Sequence, residues 1–376
     1  MSDTVLFVEL PCSGSPYKIG VVTLHNEASL NALTLDMLVC LKAKLQTWHE
    51  DDNIVCVVLE GAGDKAFCAG GDVRTMFNVM QGSDPDEIEN FCSMYFTVEY
   101  QCDYLIHTYC KPIIAWGHGI VMGGGMGLYM GSSHKVVAPD SRLAMPEISI
   151  GLFPDVGATW FLNRLDAGIG LFLGLTGMMV NAADAVELHL ADHLVLESHK
   201  ESFLEQLQVA DWDCVDDTYE VVTELLEGFE AQISDQKPEL QIMPYFNHIQ
   251  QACSANDLFH VADNILALAG DAKWLSNAKT NLVSGSPITA HICFRLMKDY
   301  SELSLAECFR LELILAVNCA LLGEFKEGVR ARLIDKDGQP NWKFANISKV
   351  DSKTIDDLFV SIWDQEFHPL ARLGHY

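Results

Sequence analysis

The chain has 376 residues, 49% of them hydrophobic, enough to bury more than one sizeable core. With 24 Lys and Arg against 52 Asp and Glu, it carries a net charge of −28. That balance argues against nucleic acid and anionic membrane surfaces as partners, since both ask for a basic footprint, but leaves room for a small anionic ligand held by a local basic cluster.

Met1-Ser2-Asp3-Thr4 leads straight into a strand-like run, so no targeting segment is expected. Residues 5–10 and 19–24 read as a strand pair turning through Gly14-Ser15-Pro16. Thr34 is placed to cap a helix whose apolar residues recur at Leu35, Leu38, Leu41, Leu45 and Trp48. Residues 54–59 form a continuous apolar run of the buried parallel-strand type. A helix is expected over 86–107, a buried strand over 113–116, a helix over 124–130, a strand over 135–138 and a helical segment over 157–175. The apolar stretch 112–130 is interrupted by six glycines between Gly117 and Gly127, so strand, glycine turn and helix fit it better than a membrane span. Beyond Val195 the strand pattern fades and helix formers dominate, as in 201–209, 219–232 and 305–322. This order predicts an α/β fold, with a core over 1–205 and a mainly helical region over 206–376. The 12 cysteines include no C-x-x-C pair; Cys40, Cys56, Cys68, Cys110, Cys293 and Cys319 stand in apolar context and read as reduced core residues of a cytoplasmic protein.

Two glycine turns each follow a buried strand and precede a helix. The first, Lys65-Ala66-Phe67-Cys68-Ala69-Gly70-Gly71-Asp72, lets backbone approach a ligand, and Asp72 can cap the helix beginning near Val73. The second runs from Gly117 to Gly127 and contains Gly123-Gly124-Gly125. Free N–H groups at such turns suit negative charge, and a pair of them is what a thioester oxyanion needs. Ordinary strand-to-helix turns and tight helix–strand packing are the plainer alternatives. Neither turn fits the phosphate-loop or dinucleotide pattern. Downstream, Glu147 and Asp155 stand in an apolar loop punctuated by glycine and proline, where desolvation raises a carboxylate's basicity. Asp155 as a helix cap and Glu147 as a buried ion-pair partner are the structural alternatives. His189 and His193 are spaced four apart, but no third ligand presents itself and no metal site is expected. His118 is a further acid/base candidate, with a packed loop as its alternative; a serine-hydrolase elbow is absent.

The segments Ala66 to Asp72, Gly117 to Leu128 and Ala144 to Gly157 closely resemble the enoyl-CoA hydratase/isomerase (crotonase) family. Gly151-Leu152-Phe153-Pro154-Asp155-Val156-Gly157 and Glu327-Gly328-Val329-Arg330-Ala331-Arg332-Leu333-Ile334-Asp335-Lys336-Asp337 resemble its thioester-hydrolysing branch. The resemblance covers most of the chain and is weakest over 200–280. It implies a spiral of ββα units with a helical C-terminal region, and an acyl-CoA substrate with no separate cofactor. It implies an oxyanion hole from the Gly71 and Gly124 N–H groups, with Gly71, Asp72, Val73 and Arg74 lining the CoA site. Glu147 falls on the family's active-site glutamate, and Glu99 and Asp155 on substrate-contacting acids. Hydratases of the family carry a second glutamate where this chain has Gly127, which disfavours water addition. The reaction implied is hydrolysis of a short 3-hydroxyacyl-CoA, 3-hydroxyisobutyryl-CoA foremost, in valine catabolism; an isomerase or hydratase is the alternative. The family's early basic residue is missing from the Leu24 to Leu33 segment, so Lys65, Arg74 and the 326–332 stretch become candidates for the CoA phosphates. A homo-oligomer is compatible with the sequence.

Overall fold

A computed structural model describes residues 4–213 and 217–375. Met1-Ser2-Asp3 and Cys214 lie outside the described residues. The chain divides into two compact units: the first comprises residues 1–71, 102–143 and 180–243, the second residues 72–101, 144–179 and 244–376.

The first unit holds the strands. They are β1 (Val5–Pro11), β2 (Lys18–Leu24), β3 (Ile54–Gly61), β4 (Ala66–Cys68), β5 (Ile113–Gly117), β6 (Ile120–Met122), β7 (His134–Val137), β8 (Arg142–Ala144), β9 (Val180–Asn181) and β10 (His193–Leu194). One sheet runs β1-β2-β3-β5-β7-β10, the other β4-β6-β8-β9. β1 pairs antiparallel with β2, whereas β2-β3, β3-β5, β5-β7 and β7-β10 pair in parallel. The unbroken apolar character of β3 follows from that position, since a central parallel strand is covered on both faces. On one face Cys56, Val58, Ile114, Trp116 and Val136 pack with Phe203, Leu207, Val222, Leu226 and Phe229 of the helices Lys200–Val209 and Thr218–Glu230. The helix Leu35–Glu50 starts at Thr34, whose side chain accepts the Met37 N–H, and buries Leu38, Leu41, Leu45 and Trp48. A Cβ at Gly20 would lie 2.8 Å from the Trp48 ring, so the bare backbone of β2 is what admits this indole.

The second unit is helical. The helix Ile169–Thr176 is buried along its whole length, the pattern of a helix enclosed on all sides. It packs against Pro287–Asp299, Lys273–Ser284 and Phe246–Ala252. The segment expected to be helical over 157–175 is broken into Ala158–Phe161, the 3₁₀ turn Leu162–Arg164 and Ile169–Thr176. Gly168, at φ 86°, is the N-cap that restarts it. The helix Leu305–Leu322 opens with a Ser304–Glu307 capping box and closes at Gly323, φ 87°.

Among the described residues all strands end by Leu194 and only helices and loops follow. No described helix is long and apolar enough to cross a membrane. All 11 described cysteines are free thiols. Cys110 is not the core residue its neighbours implied: it is exposed, in the turn after the helix Pro85–His107, with its sulfur 3.6 Å from His49 Nδ1. Cys40 is only half-buried.

Candidate functional site

In the first unit the two glycine turns converge. β4 pairs in parallel with β6, so each turn leaves the same sheet beside the other. The first turn is pinned by Leu33 N–H to Gly70 O (2.8 Å) and Ala69 N–H to Leu30 O (3.0 Å). Gly70 has φ 115°, and a Cβ on it would lie 3.4 Å from Met122 O and 3.7 Å from Gly124 N. Those are ordinary contact distances, so glycine is required here for its conformation, while the two turns lie side by side. The second turn passes through Gly123, φ 49°, into the helix Gly124–Met130. A Cβ at Gly125 would meet Cys68 O at 2.5 Å, so tight packing is a property of this turn. Neither Gly71 N–H nor Gly124 N–H makes a hydrogen bond among the described residues; Gly124 belongs to the first turn of its helix, where N–H groups have no intrahelical acceptor. His118 is buried with Nε2 3.0 Å from Gly63 O, which accounts for it as a loop anchor. His193 sits on β10 with Nδ1 3.3 Å from Glu230.

In the second unit, Glu99, Glu147 and Asp155 are buried to 2–3% exposure. Glu99 comes from the helix Pro85–His107, Glu147 opens the 3₁₀ turn Glu147–Ser149, and Asp155 lies in the loop before Ala158–Phe161. The loop between Glu147 and Asp155 is held by backbone acceptance: Ser286 N–H binds Ile148 O at 2.8 Å and Thr289 Oγ1 binds Leu152 O at 2.5 Å. The Glu327–Asp337 motif supports it from the other side. Gly328 lies against the backbone of Ile150, and Gly151, φ 71°, against Glu324 O, each too close for a Cβ. Arg330 is consumed in the same support, donating to Glu327, Asp335 and Asp337 at 2.7–2.9 Å. It is therefore not a free cation for a phosphate. Lys65 and Arg74 are exposed. Asp72 does cap its helix, accepting the Thr75 N–H at 3.1 Å, and Val73 is the first helical residue.

Electrostatically the acids form one group. Burial pushes Glu147 well above the usual carboxylate range, and the charges of Asp155 and Glu99 push it further. Burial, then Asp155, does the same to Glu99. Asp155 is raised to about 6 by burial, partly offset by the Tyr100 hydroxyl, which donates to Oδ2 at 2.6 Å. No basic side chain contributes to any of these shifts. Glu99 Oε1 and Glu147 Oε2 are buried and make no hydrogen bond among the described residues; such atoms call for a substrate or solvent partner. Among those residues, no cluster of three or more His, Cys, Asp or Glu is arranged to hold a metal ion.

Asp155 is not the helix cap. The N-cap is Gly157, and the Gly157 and Thr159 N–H groups are instead bound by the Glu312 carboxylate, at 2.7 and 2.9 Å. Sequence reasoning missed Tyr100 and Glu312. A lone charge in Leu311-Glu312-Leu313-Ile314-Leu315 was the available sign of the latter. Tyr100, beside Glu99 on a helix, carried none.

The sequence model of the enoyl-CoA hydratase/isomerase family matches residues 19–359. A mitochondrial 3-hydroxyisobutyryl-CoA hydrolase from Danio rerio is 36% identical over 352 residues, 93% of this chain and 89% of that protein. Its namesake in Homo sapiens is 33% identical, over 91% and 86%. Among solved structures, an enoyl-CoA hydratase from Rhodobacter sphaeroides superposes with TM-score 0.81 at 28% identity, covering 96% of this chain and 98% of that one. A carnitinyl-CoA dehydratase from Mycobacterium thermoresistibile gives TM-score 0.80 at 26% identity, covering 96% and 97%. The chain belongs to the enoyl-CoA hydratase/isomerase family and has the crotonase fold. The cytoplasmic expectation is corrected: the similar hydrolases are mitochondrial. Cysteine usage does not discriminate one compartment from another.

Proposed function

We propose that this member of the enoyl-CoA hydratase/isomerase family hydrolyses a short 3-hydroxyacyl-CoA thioester, 3-hydroxyisobutyryl-CoA foremost, to the free hydroxy acid and CoA. The observation that carries the reading is the buried group of Glu99, Glu147 and Asp155, with no cation among the influences on its ionisation. The family and the activity named for its mitochondrial relatives support it. The compartment named for the same relatives supports a mitochondrial location, and valine catabolism is the role that the family resemblance implies.

In this reading the thioester carbonyl oxygen is held by the Gly71 and Gly124 N–H groups, which stabilise the oxyanion as the carbonyl carbon is attacked. Glu147 attacks directly, giving an acyl anhydride and the CoA thiolate, which water then resolves; or it takes a proton from the attacking water. Its burial makes it the stronger base or nucleophile that either route needs. Asp155, ionised above about pH 6, accepts a hydrogen bond from the 3-hydroxyl. Glu99 lines the acyl end. Gly71, Asp72, Val73 and Arg74 lie along CoA, with the exposed Lys65 and Arg74 toward its phosphates. No cofactor beyond the CoA of the substrate is needed. Gly127 leaves the helix Gly124–Met130 without the second carboxylate that water addition would use.

A panel of acyl-CoA esters, read by thiol release with a disulfide reagent and by enoyl absorbance, tests this. Thiol release greatest with 3-hydroxyacyl esters is expected. An absorbance change on enoyl-CoA without thiol release would transfer the assignment to a hydratase or isomerase.

A further inference from the structure

Glu312 is fully buried at mid-helix in Leu305–Leu322, yet its carboxylate serves another segment. Oε2 accepts the Gly157 N–H at 2.7 Å and Oε1 the Thr159 N–H at 2.9 Å. The backbone it grips is strained. Val156 has φ 54° and Gly157 φ 86°. A β-branched residue in the left-handed region is a true outlier, and such a turn persists only where its surroundings over-determine it. Asp155 immediately precedes this pair, and its carboxyl meets the Tyr100 hydroxyl at 2.6 Å. Capping alone is a poor account of Glu312. The helix it caps has four residues, and a neutral Ser or Asn would serve without burying an acid that has no cation beside it. Burial raises Glu312 itself to about 8, with Asp155 adding to the rise.

We infer that Glu312 is a positioning residue for Asp155: by clamping the strained Val156-Gly157 turn it fixes the Asp155 carboxyl where the substrate hydroxyl is read. The inference rests on the proposed role of Asp155 as the acid that recognises that hydroxyl. Glu312 touches no reacting atom; it acts through the turn.

The test compares 3-hydroxyisobutyryl-CoA with isobutyryl-CoA, which lacks the hydroxyl, in the wild type, Glu312→Gln, Asp155→Asn and the double variant. Gln keeps one acceptor and turns a donor toward the other N–H. Glu312→Gln is expected to lower kcat/KM on the hydroxy ester by about 10- to 100-fold, the scale of a misplaced contact group, and to leave the isobutyryl rate nearly unchanged. In the Asp155→Asn background it should add little, since the two substitutions break one chain of contacts. Glu312→Asp, with both acceptors kept, should restore part of the selectivity. Equal loss on both esters in Glu312→Gln, or full additivity with a selective Asp155→Asn, would overturn the positioning role and leave the reading of Asp155 standing. An Asp155→Asn variant with no selective loss would instead remove that reading, and the inference with it. Failure of both Glu312 variants to fold, judged by circular dichroism and melting, would make Glu312 purely structural and overturn the inference.

Discussion

Replacing Tyr100 by Phe removes one hydroxyl from the acid cluster and little else. The ring stays packed between Phe96 and Phe309, with centroids 5.8 and 5.5 Å away. What is lost is a 2.6 Å hydrogen bond to an almost fully buried carboxylate. Bonds to charged groups contribute about 1.5–3 kcal/mol, equivalent to about 1–2 pKa units. The bond stabilises ionised Asp155, so its loss raises Asp155 from about 6 to about 7–8 on that scale. At pH 7 the ionised fraction falls from about nine-tenths to between about a half and a tenth. On a 3-hydroxyacyl-CoA, kcat/KM at pH 7 should therefore fall about 2- to 10-fold and recover at higher pH. Glu99, Glu147 and Glu312 share these surroundings, so the acid limb of the profile belongs to the group; its direction of travel does not depend on that. A thiol-release pH profile reads the effect. A limb that stays in place, or moves to lower pH, would refute the reasoning.

Two further outcomes follow from the same geometry. Asp155 has its pKa raised from 3.8 unfolded to about 6 folded, so the folding stability linked to it is complete below 3.8 and is lost as pH rises through 6. Asp155→Asn should therefore gain stability over the wild type by up to about 3 kcal/mol at pH 8, with the gain vanishing toward pH 4, as measured by urea unfolding; a gain that grows on acidification would contradict the shift. Gly125→Ala would bring a Cβ within 2.5 Å of Cys68 O and 2.8 Å of Cys68 Cβ. Overpacking of this kind destabilises by about 1–3 kcal/mol, and the displaced Gly124 N–H should lower the rate about 100-fold; unchanged melting and turnover would show that the turn is looser than its packing implies.

The regular elements were legible wherever periodicity ran long enough. Thr34 and the Leu38-Leu41-Leu45-Trp48 stripe announced their helix, and the apolar run of β3 its place mid-sheet. β4, β6, β8 and β9 have two or three residues each, too few to show a period. The glycine turns were visible because Gly70 and Gly123 carry positive φ that few other residues tolerate. The acids Glu147 and Asp155 stood out by their apolar surroundings. What supports them did not, because it comes from far along the chain: the hydroxyl on Asp155 is 55 residues away and the carboxylate clamping Gly157 is 155. A helix cap was the structural alternative for Asp155 because it precedes a helix, and only the fold reveals that Glu312 binds those N–H groups instead. The cysteine reading erred at Cys110 because its apolar neighbours lie on both sides of an exposed turn.

The central claim is that Glu147 performs the chemistry on a CoA thioester, and CoA release by Glu147→Gln from 3-hydroxyisobutyryl-CoA tests it most directly. Gln matches Glu in size and removes the charge and the basicity. The account predicts a folded protein whose thiol release falls by about 100- to 10,000-fold, the range for removing a positioned acid or base. Release at close to the wild-type rate would contradict it.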